Sequence, residues 1–146
     1  MKNVKLKAAK EENFEKIAGF YIDEFSKPSF NEDWTLEEGL KKLRLFSGYC
    51  DIWEIWFESE LVGMLVVNPN QWRPGKVLFG EEMAIRADLQ RKGIGVEVFE
   101  QMFRIYKEKG FEEYMGIVNR DSKSFEFHEK MDARISEDNV LMKRKL

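Results

Sequence analysis

The chain has 146 residues, 24 of them basic and 27 acidic, for a formal net charge of −3. That length suits a single domain, expected over residues 1–146, and a hydrophobic content of 43% is too rich for a disordered chain. The charge balance argues against nucleic-acid binding, and no apolar run approaches the ~20 residues of a membrane span.

One cysteine, Cys50, excludes an internal disulfide and fits a reducing compartment. With His128 as the only histidine, no metal site is expected. The stretch from Met1 to Lys7 alternates lysine with apolar side chains, unlike a signal peptide, so a cytoplasmic protein is expected.

Val4, Leu6 and Ala8 alternate with Lys5 and Lys7, which predicts a short half-buried strand. Phe14, Ile17, Ala18, Tyr21, Ile22 and Phe25 recur at helical spacing and predict an amphipathic helix that ends before Pro28. Thr35 and Glu38 have the spacing of a capping box, opening a second helix with Leu36, Leu40 and Leu43 on one face and Gly48 as its stop. Cys50 to Glu58 and Leu61 to Val67 follow as an antiparallel hairpin turned at Ser59-Glu60.

A loop with Pro69, Pro74 and Gly75 leads to a strand over about Val77 to Ile85. A helix starts within the polar segment Asp88 to Gly95 and stops at Gly110. Its acidic residues Glu97 and Glu100 come early and its basic Lys107 and Lys109 late, as the helix dipole favours. Phe99, Met102, Phe103 and Tyr106 read as its core stripe. Tyr114 to Val118 predicts a short strand, Ser122 to Met131 a helix capped by Asp121 or Ser122, and Val140 to Lys145 a closing strand. The expected class is mixed α/β, in the order βααβββαβαβ.

The segment Gln90-Arg91-Lys92-Gly93-Ile94-Gly95-Val96 lies where a strand gives way to a helix. Helix N-termini present unpaired N–H groups and a partial positive charge, which hold phosphates. Glycines at 93 and 95 allow positive φ and close backbone approach, and Arg91 and Lys92 add charge. The alternative is an ordinary strand-to-helix turn with exposed basic residues. A Walker loop is excluded because Val96-Glu97 follows Gly95, and a dinucleotide fingerprint because Val98 stands where its third glycine belongs.

Gln90, Gly93 and Gly95 match the Gln/Arg-x-x-Gly-x-Gly/Ala pattern, so the segment resembles that of the GCN5-related N-acetyltransferases. Glu81-Glu82-Met83-Ala84-Ile85 resembles the family's fourth strand. The run from Asn119 through Ser124, Phe127 and His128 to Ala133 resembles its Asn-x-x-Ser/Ala-x-x-Phe-Tyr-Glu-Lys-Leu-Gly-Phe segment. Asp121, His128 and Asp132 depart from it, standing where the family often has Asn, Tyr and Gly.

The resemblance implies a GNAT-type acyl-CoA N-acyltransferase fold, a mixed but mostly antiparallel sheet flanked by helices. It implies acetyl-CoA as co-substrate in an opening between the fourth and fifth strands. The pyrophosphate would lie on the amides of Arg91, Lys92, Gly93, Ile94, Gly95 and Val96, beside Gln90. The arm would follow the Met83-Ala84-Ile85 backbone, near Asn119 and Ser124. An unknown primary amine would attack directly. Glu81 or Glu82 would take its proton, the Met83 or Ile85 amide would stabilise the oxyanion, and His128 would protonate the thiolate.

Strand alternation puts Glu81 on the face of Met83 and Ile85, and Glu82 on the other. Each also reads as a solvated strand charge, and His128 as a half-buried helix histidine bonded to a neighbour. Cys50 reads as a buried side chain before a nucleophile paired with His128. Between Tyr21 and Gly39 stand Asp23, Glu24, Glu32, Asp33, Glu37 and Glu38 against Lys27, an acidic wall suited to a cationic acceptor. A monomer or homodimer is expected. The rival readings are another acyl-CoA donor, a CoA-binding sensor without catalysis, and, more remotely, a nucleotide-binding module.

Overall fold

The computed structural model describes residues 3–28 and 30–146. Along the chain run β1 (Val4–Ala8), α1 (Phe14–Phe25), α2 (Leu36–Ser47), β2 (Asp51–Phe57), β3 (Glu60–Arg73) and β4 (Val77–Ile85). They are followed by α3 (Ile94–Glu108), β5 (Glu113–Gly116) and α4 (Lys123–Lys130). Short 3-10 turns at Glu11–Asn13 and Ala87–Leu89 lead into α1 and out of β4. The sheet order is β1-β2-β3-β4-β5, antiparallel except for the parallel pair β4 and β5.

Helices cover both faces, which is why β3 runs through the continuous apolar stretch Leu61 to Val67. On one face Val62, Leu65 and Leu78 pack with Val98, Phe99, Met102 and Tyr106 of α3, and Phe127 of α4 joins them. On the other, Met64, Val66 and Ala84 pack with Ile17, Ala18 and Tyr21 of α1 and with Leu43 and Phe46 of α2. Among the described residues no helix is long and apolar enough to cross a membrane.

The local signals fold as their chemistry dictates. Thr35 Oγ1 accepts from the Glu38 amide at 3.2 Å while the Glu38 carboxylate accepts from the Thr35 amide at 2.8 Å, completing the capping box. Ser122, not Asp121, caps α4 by accepting from the Phe125 amide at 3.2 Å. The β2–β3 turn places Glu58 and Ser59 at φ 49° and 68°, a primed hairpin turn made without glycine. Gly48 ends α2 in ordinary right-handed geometry, whereas Gly110 lies beyond α3 at φ 94°.

The expected closing strand is not formed. Val140, Leu141 and Met142 are 82%, 66% and 83% exposed, and the order ends βααβββαβα. A strand exists through its partners, and this segment has no hydrogen-bonded neighbour among the described residues.

Candidate active site

Two irregularities in β4 shape the site. Val66 pairs with Glu82 and Val67 with Gly80, so Glu81 is an extra residue, a bulge opposite β3. This corrects the alternation expected for the two glutamates, because the bulge brings both onto the α1–α2 face. Asn68 Nδ2 donates to Glu81 Oε1 at 3.2 Å, and Tyr21 Oη lies 3.5 Å from Glu82 Oε1. Met83 and Ile85 keep the opposite face, packed toward α3.

The second irregularity is a parting of strands. β4 and β5 pair from Val77↔Glu113 to Gly80↔Gly116 and no further. Glu82 to Ile85 therefore stay paired with β3 alone. The Arg86 amide donates to the Val62 carbonyl at 2.8 Å, so alternation turns the peptide groups of Met83 and Ile85 toward the open edge. There the Ile85 carbonyl accepts from Gln90 Nε2 at 2.7 Å.

Gln90 Nε2 also donates to Glu24 of α1 at 2.9 Å, tying the following loop to two elements. Positive φ falls at Arg91 (63°) and Gly93 (83°). The first helical bond of α3 runs from the Glu97 amide to the Gly93 carbonyl, 3.2 Å, leaving the Ile94, Gly95 and Val96 amides without intrahelical acceptors. No side chain caps them. Arg91, Lys92 and Gly93 are exposed. Gly95 is helical and does not use positive φ, and a Cβ there would touch the Phe127 ring at 3.4 Å, an ordinary van der Waals contact. Beside the loop, Phe20 and Glu24 of α1 and Lys27 just beyond it line a shallow hollow with Ile85, Arg86 and Asp88.

At the parting itself stands Tyr114, to which sequence reasoning gives no role. A Cβ on Gly80 would come within 2.2 Å of its hydroxyl, and one on Gly116 within 3.2 Å, so both glycines make room for the phenol. Its hydroxyl meets His128 Nε2 at 3.1 Å, and His128 Nδ1 donates to the Ser124 carbonyl at 2.7 Å. Burial pushes the Tyr114 phenol well above its ordinary pKa. Ser124 Oγ lies 3.4 Å from His128 Nδ1. Asn119 shapes the turn before α4: its Oδ1 accepts from the Asp121 amide at 2.9 Å and its carbonyl from the Ser122 amide at 3.1 Å.

On the α1–α2 face, burial, together with the charges of Glu81 and Glu32, raises the Glu82 carboxyl to about 7 against the opposing pull of Lys42 and the Tyr21 hydroxyl. Trp34 stands edge-on to Tyr21, with ring centroids 5.0 Å apart. A second hollow opens beside it, lined by Asp33, Trp34, Glu38, Lys41, Lys42 and Leu45. The expected acidic wall is thus partly committed. Glu24 holds Gln90 and Lys27, Glu38 serves the capping box, and Glu32 accepts from the Trp34 indole. Tyr21, Trp34 and Lys42 carried no site signal in the sequence, because helix periodicity marks such positions only as core or surface.

Cys50 is buried in the α1–α2 core, while His128 packs against Phe99 and Tyr114 on the opposite face, so the two form no pair. Burial and the charges of Glu81 and Asp51 push the thiol up to about 12 despite Lys42.

A sheet parted after Gly80, with an open loop into α3 beside it, is the frame of an acyl-transfer fold, and the comparisons agree. The acetyltransferase (GNAT) family profile matches residues 8–133, and the chain belongs to that family. No curated protein matches the chain. Among solved structures, a possible acetyltransferase from Clostridium difficile 630 is similar with a TM-score of 0.81 at 14% identity, over 99% of each chain. An aminoglycoside acetyltransferase from an uncultured soil metagenomic sample, in complex with sisomicin, gives 0.71 at 21%, over 99% of this chain and 97% of that one. The aminoglycoside 6'-N-acetyltransferase from Acinetobacter haemolyticus gives 0.74 at 15%, over 97% and 99%.

Proposed function

We propose that the protein transfers an acetyl group from acetyl-CoA to the primary amine of a cationic acceptor, with both substrates bound together. The observation that carries this reading is Glu82. Its carboxyl, raised to about 7, stands on the α1–α2 face of the strand whose other edge is open.

The chain's residues fit acetyl-CoA. The uncapped amides of Ile94, Gly95 and Val96, with Arg91, Lys92 and Gly93 beside them, suit a pyrophosphate. Gln90 fixes that loop against Ile85. The open-edge peptide groups of Met83 and Ile85, flanking Ala84, offer strand-like hydrogen bonds to an amide-bearing arm, with Asn119 and Ser124 toward α4. Bound there, acetyl-CoA supplies an activated thioester carbonyl.

Glu82 takes the proton from the acceptor ammonium, and the neighbouring Glu81 keeps its carboxyl basic. The Met83 or Ile85 amide donates to developing negative charge on an acyl oxygen. On the far side of the sheet, the Tyr114–His128 pair holds a movable proton for a departing thiolate. The only cysteine is buried with a raised pKa and has no histidine partner, which favours direct transfer over a cysteinyl acyl-enzyme.

A cationic acceptor is favoured by the ring faces of Tyr21 and Trp34 beside Glu32 and Glu82. The two similar aminoglycoside acetyltransferases support polycationic amino sugars as the first acceptors to try. The test is release of CoA thiol from acetyl-CoA across a panel of aminoglycosides, polyamines, basic peptides and neutral or acidic amines. Turnover confined to cationic amines is expected. CoA binding without turnover on any amine would instead indicate a sensor, and faster turnover with succinyl- or propionyl-CoA a different donor.

A further inference from the structure

Among the described residues only two polar side chains are buried, Glu54 at 1% exposure and Asn68 at 3%. Glu54 belongs to the frame: it accepts from the Lys10 amide, Asn13 Nδ2 and the Trp56 indole, fastening the segment before α1 to β2. Asn68 stands on β3 between two breaks in the β3–β4 ladder. One is the bulge at Glu81. The other follows at once, because Asn68 pairs with Phe79 and Arg73 with Val77, leaving Pro69 to Trp72 opposite Leu78 alone. The Asn68 amide bonds across both breaks. Its Oδ1 accepts from the Asn70 amide at 3.0 Å, and its Nδ2 donates to Gln71 Oε1 and to Glu81 Oε1, each at 3.2 Å. The orientation is forced: a backbone N–H can only donate, so the oxygen faces Asn70 and the NH2 group faces the carboxylate.

We propose that Asn68 is a positioning residue for the reaction in which Glu82 is the base, and the inference rests on that reading: its amide holds the Glu81 carboxylate on the α1–α2 face as a fixed anion beside Glu82. The chemistry of the donor matters. Glu81 has no ion pair and no other hydrogen bond among the described residues. A lysine or arginine in that place would hold the carboxylate and cancel its charge, whereas a neutral amide holds it and leaves the charge to act. Besides burial, the groups that act on Glu82 come from every element around it. Lys42 of α2 and the Tyr21 hydroxyl of α1 favour its ionised form, and Glu81 and Glu32 oppose it. Tyr49 and Cys50, just ahead of β2, lie within the field of Glu81. Glu32 is already held by the Trp34 indole, so of the two anions Glu81 is the one whose place depends on β3.

The experiment is thermal melting of the free chain across pH, with kcat/KM across pH beside it, in two sets of variants. Asn68→Asp keeps the size and the acceptor for the Asn70 amide but sets two carboxylates face to face. It should melt lower at neutral pH and recover on acidification, as the pair comes to share a proton. Adding Glu81→Gln remakes the bond with donor and acceptor exchanged and should restore the melting temperature. Asn68→Ala instead frees Glu81 to turn toward water. The pH at which the fall in melting temperature is complete, and the midpoint of the rise in kcat/KM, should both move below the parental value of about 7. In a Glu81→Gln background, Asn68→Ala should move neither any further. No relief of Asn68→Asp by Glu81→Gln, a loss of stability in Asn68→Ala that is uniform across pH, or a further shift in the Glu81→Gln background would each overturn the proposal. A shift in melting without one in turnover would support the hold of Asn68 on Glu81 and overturn Glu82 as the base.

Discussion

Tyr114 and His128 form a directed pair: the phenol hydroxyl donates to Nε2 of the imidazole across 3.1 Å. The direction follows from the other ring nitrogen. Nδ1 lies 2.7 Å from the Ser124 carbonyl, which can only accept, so the neutral ring carries its proton on Nδ1 and receives at Nε2. In the proposed reaction the Tyr114 hydroxyl gives its proton to the departing thiolate and regains one from solvent, while His128, through Nε2, holds the phenol in place. Tyr114→Phe and His128→Phe are each expected to lower kcat by ~10²–10⁴ with little change in acetyl-CoA affinity. Because the pair acts as a unit, the double variant should be little worse than either single one. Turnover of Tyr114→Phe within a few-fold of the parent would remove the tyrosine from the route.

Glu82 links activity and stability to pH. Its folded carboxyl is raised from 4.5 to about 7, so between those values the folded state binds the extra proton. Stability from this group is full below about 4.5 and is lost as pH rises through about 7. Activity should run the other way, since in the proposed reaction Glu82 works ionised, and kcat/KM should climb toward a plateau above about 7. Glu82→Gln should lower kcat by ~10²–10⁴ and flatten the fall in melting temperature between acid and neutral pH. A parental pH–stability curve in Glu82→Gln would show that another group titrates there.

The two loop glycines should respond differently to substitution. CoA is expected to raise the melting temperature of the parent by mass action, with little rise from ATP or NAD. Gly93 has open space around its Cβ position but φ at 83°, so Gly93→Val should strain the loop and abolish the CoA-induced rise. The conformational cost to the free protein is ~1–2 kcal/mol. Gly95→Val pushes into the Phe127 ring and should lower the melting temperature of the free protein as well. Equal protection of the parent by ATP would contradict a CoA-specific cradle.

Acceptor preference should depend on the carboxylates beside Trp34. Glu32→Gln combined with Asp33→Asn is expected to reduce kcat/KM for cationic acceptors several-fold and to flatten its decline with added salt. Trp34→Ala should raise KM more than it lowers kcat, because in the proposed complex the ring meets the acceptor and not the reacting atoms. Undiminished salt dependence in the double variant would place the attraction elsewhere, with Asp23, Glu24 and Asp88 around the other hollow as the next groups to test.

Features set by neighbours in sequence were legible before any coordinates. Thr35 and Glu38 announce the capping box, and Gln90, Gly93 and Gly95 announce the loop, because each signal is complete within one turn of chain. Features set by strand register were not. The shared face of Glu81 and Glu82 arises from a bulge against Val66 and Val67, a relation between two strands that alternation within one cannot reveal. Tyr114 acquires its place because Gly80 and Gly116 fall opposite each other, a fact of the β4–β5 pairing. The Val140 to Lys145 segment has the residues of a strand, yet whether it forms one depends on an edge that its own pattern does not specify.

The sealed position of Cys50 has a practical consequence at the bench. A disulfide chromophore added to follow the proposed reaction would meet two kinds of sulfur: the CoA thiol that this reaction releases and the lone protein thiol, 9% exposed and raised to about 12. Only the first is available as thiolate near neutral pH. Continuous colour development therefore counts turnovers without a protein background. A slow extra equivalent per chain, appearing on warming or in denaturant, would time the opening of the α1–α2 core.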